Sequence, residues 1–238
     1  EVSYRIWDCS DSAEYKVQDV TCYDTELTII ACSPFEASGT SYVELWGRSE
    51  ECLTLSYRTG WNLFSVPVMM DTTNMLDVFQ QMIADKSLVK IQDELGSSLE
   101  NWGIFGGWKN NIGDVKLTEG YKIKVARPDS LQVCGTPASY PYGIPLQTGW
   151  NIIGYPQLLS YDASAVMQQL IDRKTLIKVQ DEMGSSLENW GIFGGWKNNI
   201  GSMKAGEGYK VKVSAKDTLW IYSSYPKSAT AEIELLST

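Results

Sequence analysis

The stretch QDELGSSLENWGIFGGWKNNIG, residues 92–113, returns at residues 180–201 with a single change, Leu95 to Met183. Similarity continues on both sides. TGWNLFSVP (59–67) aligns with TGWNIIGYP (148–156), and EGYKIKV (119–125) with EGYKVKV (207–213). The offset is 89 residues at Trp61/Trp150 and 88 at Trp102/Trp190, so one residue was gained or lost between them. That difference falls where MMDTTNML faces LLSYDASAV, a place where a loop enters a helix. Repeats of this length are whole supersecondary units, and two in tandem bury a shared interface.

Periodicity predicts the elements of each unit. WNLFSVPV is a short apolar run ended by Pro67, a strand that stops or lies at an edge. Met75, Val78, Phe79, Met82 and Ile83 follow helical spacing, and Ala163, Val166, Met167, Leu170 and Ile171 repeat it behind the capping residue Asp162. LVKIQDE, LIKVQDE, GYKIKV and GYKVKV alternate as half-buried strands with lysines outward. The expected fold class is α+β and β-rich. A partial β-sandwich-like segment (1–53) precedes two tandem duplicated β-α-β-β modules with one helix each (54–136 and 137–223), and residues 224–238 form a linker or the start of a next module. Three prolines in the connection GTPASYPYGIP limit its freedom and predict that the two modules move as one body.

Composition narrows the chemistry. At 43% hydrophobic residues the 238-residue chain has material for a core, while a formal charge of -9 opposes phosphate backbones and anionic membranes. Neither a nucleic-acid partner nor a membrane span is expected. The chain opens at EVSYRIWD with no charged-then-apolar leader and reads as a segment of a longer protein. Histidine is absent, which removes the commonest general base and zinc ligand. No catalytic, cofactor or metal residues are expected. Cys9, Cys22, Cys32 and Cys52 crowd the first 52 residues, a pattern of disulfides in an exported domain, with Cys134 left over.

The pattern TGWNLFSVP, then VKIQDELGSSLENWGIFGGWKNNIG, then EGYKIKV resembles the tandem GWN-type repeats of large secreted and cell-surface proteins of Bacteroidota. YRIWDCSDSAEYKV and SYVELWG resemble the end of the β-sandwich module that such repeats follow. The resemblance implies export by the type IX secretion route, an extracellular adhesin-like or filament protein, and repeats without enzymatic activity. It also implies O-glycosylation at Asp-Ser/Thr motifs, here at Ser12, Thr72, Ser130 and Thr218.

Two readings of the repeated block compete. In one, Trp102, Trp108, Lys109, Asn110 and Asn111, with Trp190, Trp196, Lys197, Asn198 and Asn199, form two carbohydrate platforms, indole faces stacking on sugar rings. In the other, the glycines fold a loop back so that one or both of its tryptophans plug the end of the core and its asparagines bond loop backbone. The lid reading is the expectation. Asp93, Glu94 and Glu100, with Asp181, Glu182 and Glu188, lack the ordering of a calcium loop and read as turn and strand-end residues on a solvated surface. The leading function is a non-enzymatic structural and interaction segment whose partners are neighbouring domains of its own polypeptide or other cell-surface proteins. Polysaccharide binding is the alternative.

Overall fold

The computed structural model describes residues 6–8, 13–23, 26, 29–30, 42–48 and 50–225. They fall in two compact units, Glu1–Glu51 and Cys52–Thr238. In the first unit, β1 (Ile6–Asp8) and β3 (Ile29–Ile30) flank β2 (Ala13–Tyr23), and β4 (Tyr42–Arg48) also pairs with β2, all antiparallel.

The first repeat runs through β5 (Glu51–Tyr57), β6 (Gly60–Phe64), β7 (Val68–Met69), the short helices α1 (Met75–Val78) and α2 (Gln80–Ala84), then β8 (Leu88–Gln92), β9 (Ser98–Asn101), β10 (Trp108–Asn110), β11 (Tyr121–Val125) and β12 (Asp129–Pro137). Five of these strands form an antiparallel sheet in the order β10-β9-β8-β11-β6. Because β11 lies between β6 and β8, the helical segment crosses over an inserted strand. The GWN motif starts the sheet. Gly60 turns the chain with φ +96, Trp61 faces outward, and Asn62 locks the turn by accepting from Arg58 N and donating to Arg58 O, at 2.8 and 2.7 Å. On the inner face Phe64, Met75, Phe79, Met82, Ile91, Leu99, Tyr121 and Ile123 close a core with almost no exposed surface. At about 25 cal/mol per Å² of apolar area buried, such layers supply most of the driving force.

The second repeat has β13 (Tyr142–Leu146), β14 (Gly149–Ile153), β15 (Tyr161–Asp162), α3 (Ala163–Asp172), β16 (Leu176–Gln180), β17 (Ser186–Asn189), β18 (Trp196–Asn198), β19 (Ser202–Met203), β20 (Tyr209–Val213) and β21 (Asp217–Ile221). Its sheet order, β14-β20-β16-β17-β18, pairs the sequence-equivalent strands in the same sequence, over a separate core around Tyr155, Met167, Val179 and Tyr209. Asn151 repeats the turn lock on Gln147.

One expectation needs correcting in detail. The helix of the first repeat is broken at Phe79 (φ −97, ψ 11), whereas α3 is continuous and capped by Asp162, which accepts from Ser164 N and Ala165 N. Phe79 is fully buried with its ring edge-on to Phe64 at 5.4 Å. Its counterpart is Met167, buried in a core where Ile153 stands at the position equivalent to Phe64.

Cysteine pairing also differs from the sequence expectation. Cys52 in β5 is bonded to Cys134 in β12, 82 residues away, so it does not serve the N-terminal unit, and Cys134 is not left over. Cys22, buried in β2, is disulfide-bonded as well. Cys9 and Cys32 lie outside the described residues. Replacing both Cys52 and Cys134 by Ala should lower unfolding stability by about 2–4 kcal/mol. Urea denaturation of the variant checks this, and peptide mapping without reduction should recover the 52–134 pair.

Candidate functional site

The repeated block builds a tip on the outer edge of each sheet. β9 and β10 pair as a hairpin, with Trp108 opposite Asn101. Its loop closes through Trp102 N donating to Gly107 O at 2.8 Å, and Asn101 Oδ1 accepts from Gly103 N at 2.7 Å. Gly106 and Gly107 turn the chain with φ +127 and +65, conformations that side chains rarely adopt. The single 3₁₀ turn Gly103–Phe105 is thereby pushed into solvent. Ile104 is 94% exposed and Phe105 81%, and Ile192 and Phe193 match them at 94% and 81%.

The candidate platform residues divide within this geometry. Trp108 and Trp196 are partly buried and pack on the two cores, as lids. Trp102 and Trp190 are not lids, being 50% and 49% exposed. Lys109 and Lys197 are exposed, their stems lying over Gly106 and Gly194. Asn110 and Asn198 are committed to the fold: each accepts from two backbone N–H groups, Ile112 and Gly113 or Ile200 and Gly201. Each also donates to the carbonyl of that glycine and to the residue capping the helix, Asn74 or Asp162. Asn111 and Asn199 are exposed and tie in through their backbone N–H groups to Ser98 and Ser186. The outward tryptophans of GWN itself, Trp61 and Trp150, were not among the sequence candidates. They lie 50% and 45% exposed beneath Lys124 and Lys212, at 5.9 and 5.6 Å.

The carboxylates of the block do three different things. Asp93 and Asp181 accept from Ser97 N and Ser185 N and shape the turn. Glu100 and Glu188 are held below the usual carboxylate range by hydrogen bonds from Lys90 and Ser98, or Lys178 and Ser186, with a further bond from the Trp102 or Trp190 indole. Glu94 and Glu182 leave their own repeat. Glu94 accepts from Ile152 N at 2.7 Å, and Glu182 accepts from Leu63 N at 3.0 Å. Both residues are exposed, as the sequence reading has them, and each in addition caps an edge strand of the other repeat.

Around these contacts the two repeats grip each other reciprocally. Ser65 N donates to Gly206 O at 2.9 Å and Gly154 N to Thr118 O at 3.1 Å, and single bridges join Phe64 with Glu207 and Glu119 with Ile153. Two grooves flank the contact, about 440 Å³ beside Glu182 and about 240 Å³ beside Glu94. They are lined by equivalent segments of the two repeats but differ at many of the matched positions. Arg58 pairs with Glu182 and also reaches Met183 Sδ at 3.1 Å, where the second repeat has Gln147 facing Leu95. The one change in the repeated block thus stands opposite a change in its partner strand.

Among the described residues no group of three or more His, Cys, Asp or Glu side chains is placed to hold a metal ion. Of the candidate glycosylation sites, Thr72 and Ser130 are exposed and Thr218 is half-buried, while Ser12 lies outside the described residues. Asp129 and Asp217, which precede Ser130 and Thr218, accept from Ser87 and Thr175 and so pin β12 and β21 to the segment after the helix. Compared with protein-family models, with curated proteins and with solved structures, the chain matches none.

The interface predicts an inequality. Glu182→Ala removes the acceptor of Leu63 N and the partner of the exposed Arg58 and should cost about 1–2 kcal/mol, more than Glu94→Ala, which removes only the acceptor of Ile152 N and should cost about 1 kcal/mol. Denaturant midpoints of the two variants at equal slope check the order.

Proposed function

We propose that this chain is a non-enzymatic structural and interaction segment of a large extracellular protein, secreted or surface-anchored, adhesin-like or filamentous. In this reading residues 54–136 and 137–223 are duplicated β-α-β-β modules behind a β-sandwich-like segment. They hold neighbouring domains of their own polypeptide, or other cell-surface proteins, at a set separation. The observation that carries it is the pair of tips: one continuous body holds out two copies of an Ile-Phe apex that no core contact requires. Apolar side chains exposed to this degree on a packed unit mark a contact surface. The disulfide between Cys52 and Cys134 agrees with an oxidising compartment. The resemblance to GWN-type repeats supports type IX export and O-glycosylation on the same terms.

Carbohydrate binding remains the second reading, because Trp102 and Trp190 are half exposed beside Lys109 and Lys197. The experiment separates the two. Ile104→Ser with Phe105→Ser, and the matching pair in the second repeat, should change stability by no more than about 0.5 kcal/mol. The same changes should abolish photo-crosslinking from the tips to other domains of the full-length protein on cells. Tight binding of a defined polysaccharide on a glycan array, lost in Trp102→Ala and Trp190→Ala, would instead establish the second reading.

A further inference from the structure

The grip between the repeats is reciprocal in its backbone bonds but not in its side chains. Two equivalent turns present the accepting carbonyls, closed by Glu119 N donating to Lys116 O and Glu207 N donating to Lys204 O, both at 3.2 Å. Gly206, third in its turn, has φ +83, which makes that turn type II. Thr118, its counterpart, is not in the left-handed region, so its turn is not type II and takes a type I form. The two types differ by a flip of roughly 180° in the central peptide, so the carbonyls of Leu117 and Ala205 point to opposite sides.

The residue facing each turn is matched to that flip. Leu117 O stands so close to Gly154 that a Cβ there would overlap it. Opposite the other turn is Ser65, whose hydroxyl donates to Glu207 O at 2.7 Å and accepts from Tyr155 N at 3.2 Å. Thr118 therefore goes with Gly154, and Gly206 with Ser65. A second match runs alongside, Arg58 with Glu182 and Met183, against Gln147 with Glu94 and Leu95.

We propose that this surface is selective for kind: the first repeat binds a repeat of the second kind and rejects another copy of itself, with the turn type as the discriminating element. In a first-with-first pair, Ser65 would meet the Leu117 carbonyl twice over. In a second-with-second pair no overlap arises, but both Ser65 bridges and the Arg58 ion pair are lost. The partner is the complementary repeat, whether from the same chain or a second copy. Nothing in this depends on what the tips bind.

The test uses the full chain with a protease site inserted at the exposed Ser139, between the two separate cores. After cleavage the halves should stay together as a 1:1 pair, and a mixture of differently tagged chains should yield no first-with-first pairs. Gly154→Ser should weaken the cleaved pair by at least about 10-fold. Adding Thr118→Gly, which lets the facing turn adopt the type II form, should restore most of that loss, a rescue that misfolding of the second repeat would not allow. First-with-first pairing as strong as the mixed pair, an unweakened Gly154→Ser chain, or a loss that Thr118→Gly leaves in place would each overturn the proposal.

Discussion

The outward N–H groups of β6 and β14 are the constraint on which the rest of the structure turns. Each strand pairs with the sheet on one side only, and on the other it presents Leu63 N and Ser65 N, or Ile152 N and Gly154 N. An open edge of this kind invites pairing with other chains and leaves donors to be satisfied by water. Here each edge is closed by the other repeat, through one glutamate and one turn carbonyl. A single repeat has no means of closing its own edge in this way. Duplication supplies the missing half, and it supplies it twice because the contact is close to two-fold.

That arrangement explains where the repeats differ and where they do not. The Asp-Glu end of the repeated block reaches across the interface, and the Trp-Gly-Ile-Phe-Gly-Gly end forms the solvent tip, so both ends of one short segment are in use. Core positions have drifted, as with Phe79 and Met167, because packing tolerates changes of shape that conserve volume. Interface positions have drifted in matched sets. Arg58 with Met183 and Ser65 with Gly206 form one side, Gln147 with Leu95 and Gly154 with Thr118 the other.

Much of the architecture was legible in the residues, because alternation and helical spacing are local signals. The strands around Ile91, Ile123, Val179 and Val211 and the helix capped by Asp162 follow from them directly. What was not legible depended on the second repeat's position. Glu94 and Glu182 look like turn residues until the other strand is placed beside them, and Cys134 looks surplus until β12 is laid against β5. The tryptophans split for a similar reason. Trp102 and Trp108 each sit next to a glycine within one short loop segment, yet the hairpin turns one toward solvent and the other toward the core. The exposure of Ile104 and Phe105 had no sequence signal at all, since an Ile-Phe pair reads as core.

Hydrogen exchange at the edge amides is the most direct measure of whether the repeats close one another. If they do, the N–H groups of Leu63, Ser65, Ile152 and Gly154 exchange as slowly as those in the centre of the sheets, and Glu182→Ala speeds Leu63 selectively. Exchange of all four at the rate of a free sheet edge, with the central strands still protected, would contradict the account.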